Sequence, residues 1–274
     1  MAILAITYEF GSGGEEIGRS IERDLGYEYI ALGRVLEEAK HSGKKWERFS
    51  LEYGEGHPNI WERYDWSFMG FMALVQSIIL DYALKDNVVL MTRGAHYLLQ
   101  GVPHALRVRI VAPRENRIER VMKKQDVSYD TAKLLVQQAD WEIASVIQQL
   151  YGKKWDDPDA YELRFDTSTQ GMGEIIEIIK SLLAAKDKLK SQKHLELRAL
   201  AAKIKSVIAT NPEFLIPTLE VEPRGEDIVL RGVARSIKEH KAIEKEVRKV
   251  PGQASITCEI HYRGIKSVKP HRLR

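Results

Sequence analysis

A glycine-rich turn near the start of the chain has the residue types and spacing to bind an anion. Residues 9–18 read Glu-Phe-Gly-Ser-Gly-Gly-Glu-Glu-Ile-Gly, and they follow a short apolar, β-prone run over residues 2–8. A strand, a glycine-rich turn and a helix in this order form an anion site, because unpaired amides at the helix start and the helix dipole both favour negative charge. The turn Gly11-Ser12-Gly13-Gly14 is therefore a candidate anion site.

The turn departs from the standard phosphate loop. The pattern G-x-x-x-x-G-K-[ST] places a lysine on the β- and γ-phosphates and a hydroxyl on Mg²⁺. Here Gly14 and Glu15 follow Gly13, so neither group is present. Glycines also serve strand-to-helix turns that bind nothing. The turn alone therefore leaves two interpretations open, a phosphate site and a purely structural turn.

Alternating strands and helices must position this turn. Short apolar runs predict strands at residues 2–8, 27–32, 87–91, 106–111 and 161–165. Helical periodicity predicts helices from the turn to Gly26 and over residues 36–40, 68–84, 115–124, 129–151 and 172–185. This order predicts an α/β fold whose mostly parallel sheet is covered by helices on both faces, with the strand-to-helix loops gathered at one edge.

An aromatic segment interrupts this alternation. Residues 44–66 hold several aromatic side chains among charges, glycine and proline: Trp46, Phe49, Tyr53, Trp61, Tyr64 and Trp66. Such side chains pack in a core, close a binding lid or stack on a base. We expect core or lid packing and leave base stacking as the alternative.

Four stretches follow one family pattern, in order, over about residues 1–185. Residues 6–18 are similar to S-R-E-F-G-S-G-G-R-E-I-G, and residues 89–97 contain a segment similar to G-R-G-A-x-Y. Residues 111–121 are similar to A-P-x-x-x-R-x-x-R, and residues 151–168 to Y-G-x-D-W-x-D-P-x-x-Y…N-T. With these stretches the chain resembles the cytidylate-kinase-like family, a branch of the nucleoside monophosphate kinases.

The resemblance implies a P-loop kinase-type fold and transfer of the γ-phosphoryl group of ATP, with Mg²⁺, to a nucleoside monophosphate of the CMP type. It implies that the turn cradles phosphates and that Arg93 meets the monophosphate. It also implies that Arg117 and Arg120, three residues apart on one helix face, reach the adenine and the triphosphate. A solvated helix face beside Glu115 and Glu119 is the alternative for these two arginines.

Departures from the family pattern bear on catalysis. Tyr8 and Glu15 stand where the family has arginine, and Ala31 replaces its acidic residue after the second strand. The stretch matching its arginine-bearing lid, residues 139–149, contains no arginine. Arginines in phosphoryl transfer are worth about 10³–10⁵ in rate. The sequence therefore predicts weakened or lost phosphoryl transfer, with an active CMP-type kinase as the alternative.

The C-terminal part differs in charge and pattern. Residues 1–186 carry 23 Lys/Arg and 28 Asp/Glu, a net charge of −5, whereas residues 187–274 carry 19 and 11, a net charge of +8. A charged linker or helical extension is predicted at residues 187–194, followed by α-β-β-α-β over residues 195–263. The basic surface either attracts an anionic partner or is merely solvated.

Within that part, residues 228–240 and 247–256 resemble the BON domain, with Gly232 and Gly252 at its glycine positions. This resemblance implies a small α+β binding module with an anionic or protein partner. We therefore predict a kinase-like domain at 1–186, a linker at 187–194, a BON-like domain at 195–263 and a mobile basic tail at 264–274.

Composition excludes other classes of protein. The chain has 274 residues, of which 44% are hydrophobic and 30% charged, and this is a globular composition. Cys258 is the one cysteine, and the histidines show no ligand spacing, so we predict neither a disulfide nor a metal site. The first ten residues lack the basic start of a signal peptide, and we expect no apolar run of about 18 residues. These features predict a cytoplasmic chain without a membrane span, while a homo-oligomer stays open.

Overall fold

The computed structural model describes residues 2–55, 66–189, 192–252, 254–262 and 269–273. By their contacts, the residues group into two compact units. The first unit consists of Met1–Arg34 and Lys85–Ser191, and the second of Val35–Leu84 and Gln192–Arg274. Each unit is thus built from two separate stretches of chain.

In the described part of the chain, the strands are β1 Ile3–Tyr8, β2 Glu28–Ala31, β3 Val88–Met91, β4 Ala105–Val111, β5 Leu163–Asp166, β6 Glu220–Arg224, β7 Asp227–Ala234, β8 Ile256–Tyr262 and β9 His271–Leu273. The helices there are α1 Gly14–Leu25, α2 Leu32–His41, α3 Lys45–Glu55, α4 Trp66–Ala83, α5 Ala95–Leu98, α6 Arg114–Gln125, α7 Tyr129–Tyr151, α8 Met172–Asp187, α9 Gln192–Thr210 and α10 Ile237–Val247.

The first unit contains a five-stranded sheet in the order β2-β3-β1-β4-β5, and all its neighbouring strands are parallel. Its central strand β1 is buried on both faces, as are β3 and most of β4. Parallel strands need both faces covered, which is why these runs are continuously apolar. The predicted α/β fold with a parallel sheet is confirmed, and the carboxyl end of β1 leads directly into the glycine-rich turn.

The second unit contains a mixed four-stranded sheet in the order β6-β7-β8-β9. Strands β7 and β8 are parallel, whereas β6 and β9 pair antiparallel at the edges. Helices α4 and α9 pack against each other closely at Gly70, where an added Cβ would lie 2.5 Å from the carbonyl oxygen of Ala209. A glycine at this position therefore permits the close approach of the two helices.

The aromatic segment contributes to the core of the second unit. Trp46, Phe49 and Tyr53 are buried on α3. Their ring centroids lie 6.3, 5.7 and 6.0 Å from that of Phe71 on α4. For these three residues the expectation of core packing is confirmed, whereas Trp61 and Tyr64 lie outside the described residues.

The end of the chain is more structured than the sequence predicts. His271–Leu273 forms β9, which pairs with Ile256–Cys258 of β8. Leu273 is buried there, so this short strand takes part in the core. The prediction of a wholly mobile tail at 264–274 is therefore wrong for these three residues.

Helix α4 also corrects an expectation. It has 18 residues with a mean hydropathy of 1.3, long and apolar enough by composition to cross a membrane. In the structure, however, 72% of this stretch is buried inside the protein. A buried core helix meets the same criteria, so α4 is weak support for a membrane span.

Candidate nucleotide site

The glycine-rich turn adopts a backbone that requires its glycines. Gly11 and Gly13 have φ angles of +81° and +88°, in the left-handed region that favours glycine. Gly14 begins α1, and a Cβ added there would lie 2.3 Å from the Cβ of Tyr8. The predicted order of strand, glycine-rich turn and helix is thus present.

Arg120 forms hydrogen bonds with the backbone of the glycine-rich turn and with Thr167. Its Nη1 donates to the carbonyl oxygen of Ser12 at 3.0 Å and to Thr167 Oγ1 at 2.7 Å, and its Nη2 donates to the carbonyl oxygen of Thr167 at 3.0 Å. Thr167 Oγ1 in turn donates to the carbonyl oxygen of Ser12 at 2.7 Å. The buried Ser12 hydroxyl donates to Ile110. Arg120 therefore fixes the backbone of the turn in this structure.

Arg117 is buried and bound on every side to the protein. Its Nη1 and Nη2 donate to the two carboxylate oxygens of Asp140, each at 2.9 Å. Its Nε donates to the carbonyl oxygen of Ala112, and Nη1 also donates to that of Phe10. Glu9 Oε2 lies 3.4 Å from Nε. Because Arg117 is only 6% exposed, a solvated helix face does not describe it.

Glu9 and Arg109 are site residues that the sequence analysis missed. Glu9 Oε1 accepts from Arg109 Nη2 at 3.1 Å, and Glu9 Oε2 accepts from the amide of Ala112 at 3.3 Å. The Arg109 guanidinium also lies 4.1 Å from the centroid of the Trp155 ring and donates to the Trp155 carbonyl oxygen. A charged residue inside the apolar run of β4 was the available signal, because such a residue needs a partner when buried.

A small cavity of about 200 Å³ lies where β1 and β3 end, against α7. Arg93 lines it, with Nη2 3.7 Å from Glu142 Oε2, and both side chains are 16% exposed. Thr92 also lines it, and Thr92 Oγ1 is buried without a hydrogen-bond partner among the described residues. A hydroxyl left unpaired in this way is suited to a polar group of a ligand. Tyr8 forms part of the same wall.

The first turn of α1 carries two carboxylates paired with a lysine. Lys124 Nζ lies 2.8 Å from Glu16 Oε1 and 3.7 Å from Glu15 Oε2. Burial raises the pKa of Glu16, but hydrogen bonds from Lys124 and from its own backbone amide outweigh this and leave the pKa below its usual value. Burial and then the charges of Glu15 and Glu16 raise the pKa of Tyr8. The Glu16 carboxylate is thus ionised at neutral pH.

These residues do not fit Mg²⁺–ATP in the standard P-loop manner. That manner needs a lysine and a hydroxyl directly after Gly13, and the chain has Gly14 and Glu15 there. The first turn of α1 therefore presents two carboxylates, and no lysine, to a triphosphate.

A buried histidine network supports the cavity wall. His96 Nδ1 is 3.0 Å from Thr7 Oγ1, and its Nε2 is 3.3 Å from Tyr161 Oη, which donates to the carbonyl oxygen of Trp155. Burial lowers the pKa of His96 to about 3, with a further lowering from the positive charge of Arg109. His96 is therefore neutral at physiological pH.

The sheet order, the turn after the central strand and the helices on both faces define the architecture of a P-loop kinase. Within that class, the chain belongs to the Cytidylate kinase-like family, whose model matches residues 3–169. This assigns the family to the first part of the chain and leaves the C-terminal sheet outside the match.

Relatives and solved structures agree with this assignment. A cytidylate kinase of Pyrococcus abyssi is 24% identical over 182 residues, which cover 66% of this chain and 93% of that protein. A cytidylate kinase of Methanocaldococcus jannaschii is 27% identical over 176 residues, covering 63% and 92%. A solved protein of Eubacterium ventriosum aligns with a TM-score of 0.53 at 17% identity, covering 67% of this chain and 99% of that one. The last likeness concerns the fold alone.

Proposed function

We propose that this chain is a nucleotide-binding member of its family in which phosphoryl transfer from ATP to a nucleoside monophosphate is weakened or lost. Glu15 in the first turn of α1 carries this proposal, because it stands where the family pattern has arginine and its Oε2 lies 3.7 Å from Lys124 Nζ. A phosphate group at the turn would therefore face a carboxylate at Glu15 where the family pattern offers a guanidinium. Like charges repel, and because the Glu15 side chain is half exposed and paired with Lys124, this repulsion is smaller than the several kcal/mol of a buried like-charge contact.

The arrangement of the arginines supports the same proposal. Arg117 donates hydrogen bonds to the carboxylate of Asp140 and to the carbonyl oxygens of Ala112 and Phe10. Arg120 donates hydrogen bonds to the carbonyl oxygen of Ser12 and to the hydroxyl and carbonyl oxygens of Thr167. Most N–H groups of both arginines thus bond to the protein itself, and the charge of Arg117 is paired with Asp140, which leaves less of either guanidinium for a transferring phosphoryl group.

The cavity at Arg93 and Thr92 supports retained binding of a monophosphate of the CMP type. A guanidinium and an unpaired buried hydroxyl are suitable partners for phosphate oxygens. The relatives named cytidylate kinase make CMP the first ligand to test. The same cavity favours the second candidate function, an active kinase that uses ATP and Mg²⁺.

A coupled assay with ATP, Mg²⁺ and each common nucleoside monophosphate separates the two functions, alongside calorimetric titration with CMP. We expect CMP binding with turnover far below the roughly 1–100 s⁻¹ typical of kinases. The variant Tyr8→Arg/Glu15→Arg, which brings back the family's cations, is expected to raise turnover. The matched control is Asp130→Arg, which removes an exposed acid from the first turn of α7.

The outcomes distinguish the alternatives. Wild-type turnover in the usual kinase range supports the active kinase and contradicts weakened transfer. Absence of CMP binding in both the wild type and the arginine variant contradicts a nucleotide site. An equal rise in turnover in Asp130→Arg contradicts the role given to Glu15.

The proposal also gives a binding or regulatory role to the BON-like domain at residues 195–263, beside a kinase-like domain at 1–186, a linker at 187–194 and a tail at 264–274. The net charge of +8 over residues 187–274 supports an anionic partner rather than an uncharged protein surface. Sedimentation of the full chain with anionic and neutral lipid vesicles at low and high salt tests it. Equal sedimentation with both vesicles contradicts an anionic partner, and cell fractionation tests the proposed cytoplasmic location.

A further inference from the structure

Four side chains with metal-ligating atoms converge in the second unit. His240 and Glu244 lie one turn apart on α10, Cys258 lies on β8 and His271 lies on β9. Their ligand atoms all lie within 4.8 Å of one another. Two imidazoles, a thiolate and a carboxylate are donors that a tetrahedral zinc ion takes.

The distances suit a single ion at the centre of the group. His240 Nε2 lies 3.4 Å from Cys258 Sγ and 3.0 Å from Glu244 Oε1, and His271 Nε2 lies 2.6 Å from the same oxygen. Tetrahedral ligands at bond lengths of about 2.0–2.3 Å stand roughly 3.3–3.8 Å apart. Side-chain movements of about an ångström, which lengthen the short contacts and shorten any near the 4.8 Å limit, therefore bring four donors to bonding distance of one cation.

Hydrogen bonds alone pair these groups poorly. His240 Nε2 faces both Cys258 Sγ and Glu244 Oε1, yet an imidazole nitrogen carries at most one proton to donate. His271 Nε2 is directed to the same Glu244 oxygen, so both imidazoles converge on one carboxylate. A cation at the centre gives all four donors a common partner.

The surroundings resemble those of a structural metal site. Cys258 and His240 are buried, Glu244 is half-buried and His271 is exposed, so the group is closed toward the core and open to solvent at β9. His271 Nδ1 lies 3.4 Å from the carbonyl oxygen of Lys269. A proton on Nδ1 leaves the Nε2 lone pair directed to the other ligands, and such outer contacts commonly orient metal-bound histidines.

We propose that His240, Glu244, Cys258 and His271 form a structural zinc site that fastens the edge strand β9 to α10 and β8. A three-residue strand makes few ladder hydrogen bonds, and a metal bridge supplies the missing attachment. The thiolate and the carboxylate balance the two charges of the ion, so the half-buried group is neutral. This site departs from the sequence prediction of no metal ligands.

Cobalt titration of the chelator-treated full-length chain tests the proposal. We expect one Co²⁺ per chain, with a thiolate-to-metal charge-transfer band and the visible bands of tetrahedral cobalt, both displaced by Zn²⁺. His271→Ala, an exposed position, is expected to weaken binding more than about 100-fold, beyond the effect of losing an outer-shell partner. Cys258→Ser is expected to abolish the charge-transfer band. His261→Ala, on the exposed side of β8, is the matched control and is expected to bind as the wild type does.

Thermal unfolding gives a second readout. Zinc is expected to raise the unfolding temperature of the wild type and of His261→Ala, and to leave that of His271→Ala unchanged. Circular dichroism verifies that His271→Ala is folded. The proposal is overturned if the wild type takes up no saturable metal, or if His271→Ala binds it as tightly and is stabilised as much.

Discussion

Arg117 on α6 and Asp140 on α7 form a two-fold hydrogen-bonded ion pair, with both N···O distances at 2.9 Å. Planar guanidinium and carboxylate groups bond most strongly in this side-by-side geometry. The pair joins α6 to α7. Arg117, which the family resemblance assigns to nucleotide binding, therefore has a structural role here. Nucleotide access to Arg117 therefore requires the pair to open.

Replacing Arg117 tests the scaffold role. Arg117→Ala leaves the carboxylate of Asp140 without its partner and is expected to lower the free energy of unfolding by about 3 kcal/mol. Urea denaturation measures the change. Arg114→Ala, an exposed arginine of the same helix that contacts Gln137, is the control and should stay within about 0.5 kcal/mol of the wild type. A loss below about 1 kcal/mol for Arg117→Ala would show that the pair is dispensable.

Replacing glycine by alanine is expected to change the stability in opposite directions at Gly70, in the contact between α4 and α9, and at Gly173 in α8. Gly70→Ala forces a methyl group to within 2.5 Å of a backbone oxygen and is expected to lower the free energy of unfolding by about 1–3 kcal/mol. A Cβ at Gly173 in α8 meets no atom within 4 Å among the described residues. Gly173→Ala should therefore stabilise the protein by up to about 1 kcal/mol. Thermal denaturation measures both changes, and a stabilisation by both substitutions would contradict the close packing at Gly70.

Thr92→Val separates binding from stability. The Thr92 hydroxyl has no partner in the described structure, so its removal should leave the free energy of unfolding unchanged or raise it slightly. If the cavity takes the phosphate of CMP, the loss of a hydrogen bond to a charged group should weaken binding about 10- to 100-fold. Calorimetric titration measures this affinity. An unchanged affinity would place the phosphate elsewhere than at Thr92.

Stability should depend on pH through His96. Its pKa is lowered from the usual value near 6.5 to about 3, mainly by burial. Protonation therefore favours the unfolded chain, so the contribution of His96 is complete above about pH 6.5 and is lost as the pH falls toward 3. The expected slope is about 1.4 kcal/mol per pH unit within this window.

Urea denaturation of the wild type and of His96→Gln at pH 7.5, 5.5 and 4.5 measures this slope between the two lower pH values, with pH 7.5 as the reference. The variant should lack the part of the pH dependence that His96 supplies, whatever its stability at pH 7.5. His261→Gln, an exposed histidine, should keep the wild-type slope. Parallel pH profiles for the wild type and His96→Gln would contradict a neutral buried His96.

Periodicity and turn chemistry made most of the first unit predictable. The predicted helix at residues 129–151 matches α7, and the strand predicted at 106–111 matches β4 within one residue. The end of α1 at Gly26 was predictable because glycine adopts the left-handed backbone found there, with φ +67°. Such features depend on a few neighbouring residues, which the sequence displays directly.

Pairings between distant residues were not predictable in this way. Nothing in the spacing of Arg117 and Asp140 indicates that they meet, because the meeting depends on how α6 packs against α7. The three residues of β9 have no alternation long enough to mark a strand, and only pairing with β8 defines them. The four proposed zinc ligands are likewise scattered over residues 240–271 and come together through the sheet.

The division of the second unit between two stretches of chain has a consequence for biosynthesis. The apolar helix α4 leaves the ribosome more than a hundred residues before its packing partner α9 has been made. At synthesis rates of about 5–20 residues per second, that gap lasts on the order of 5–20 s. During this time α3 is available to pack against α4, but the face of α4 that contacts α9 lacks its native cover, so it is open to chaperones or provisional contacts until translation passes Thr210.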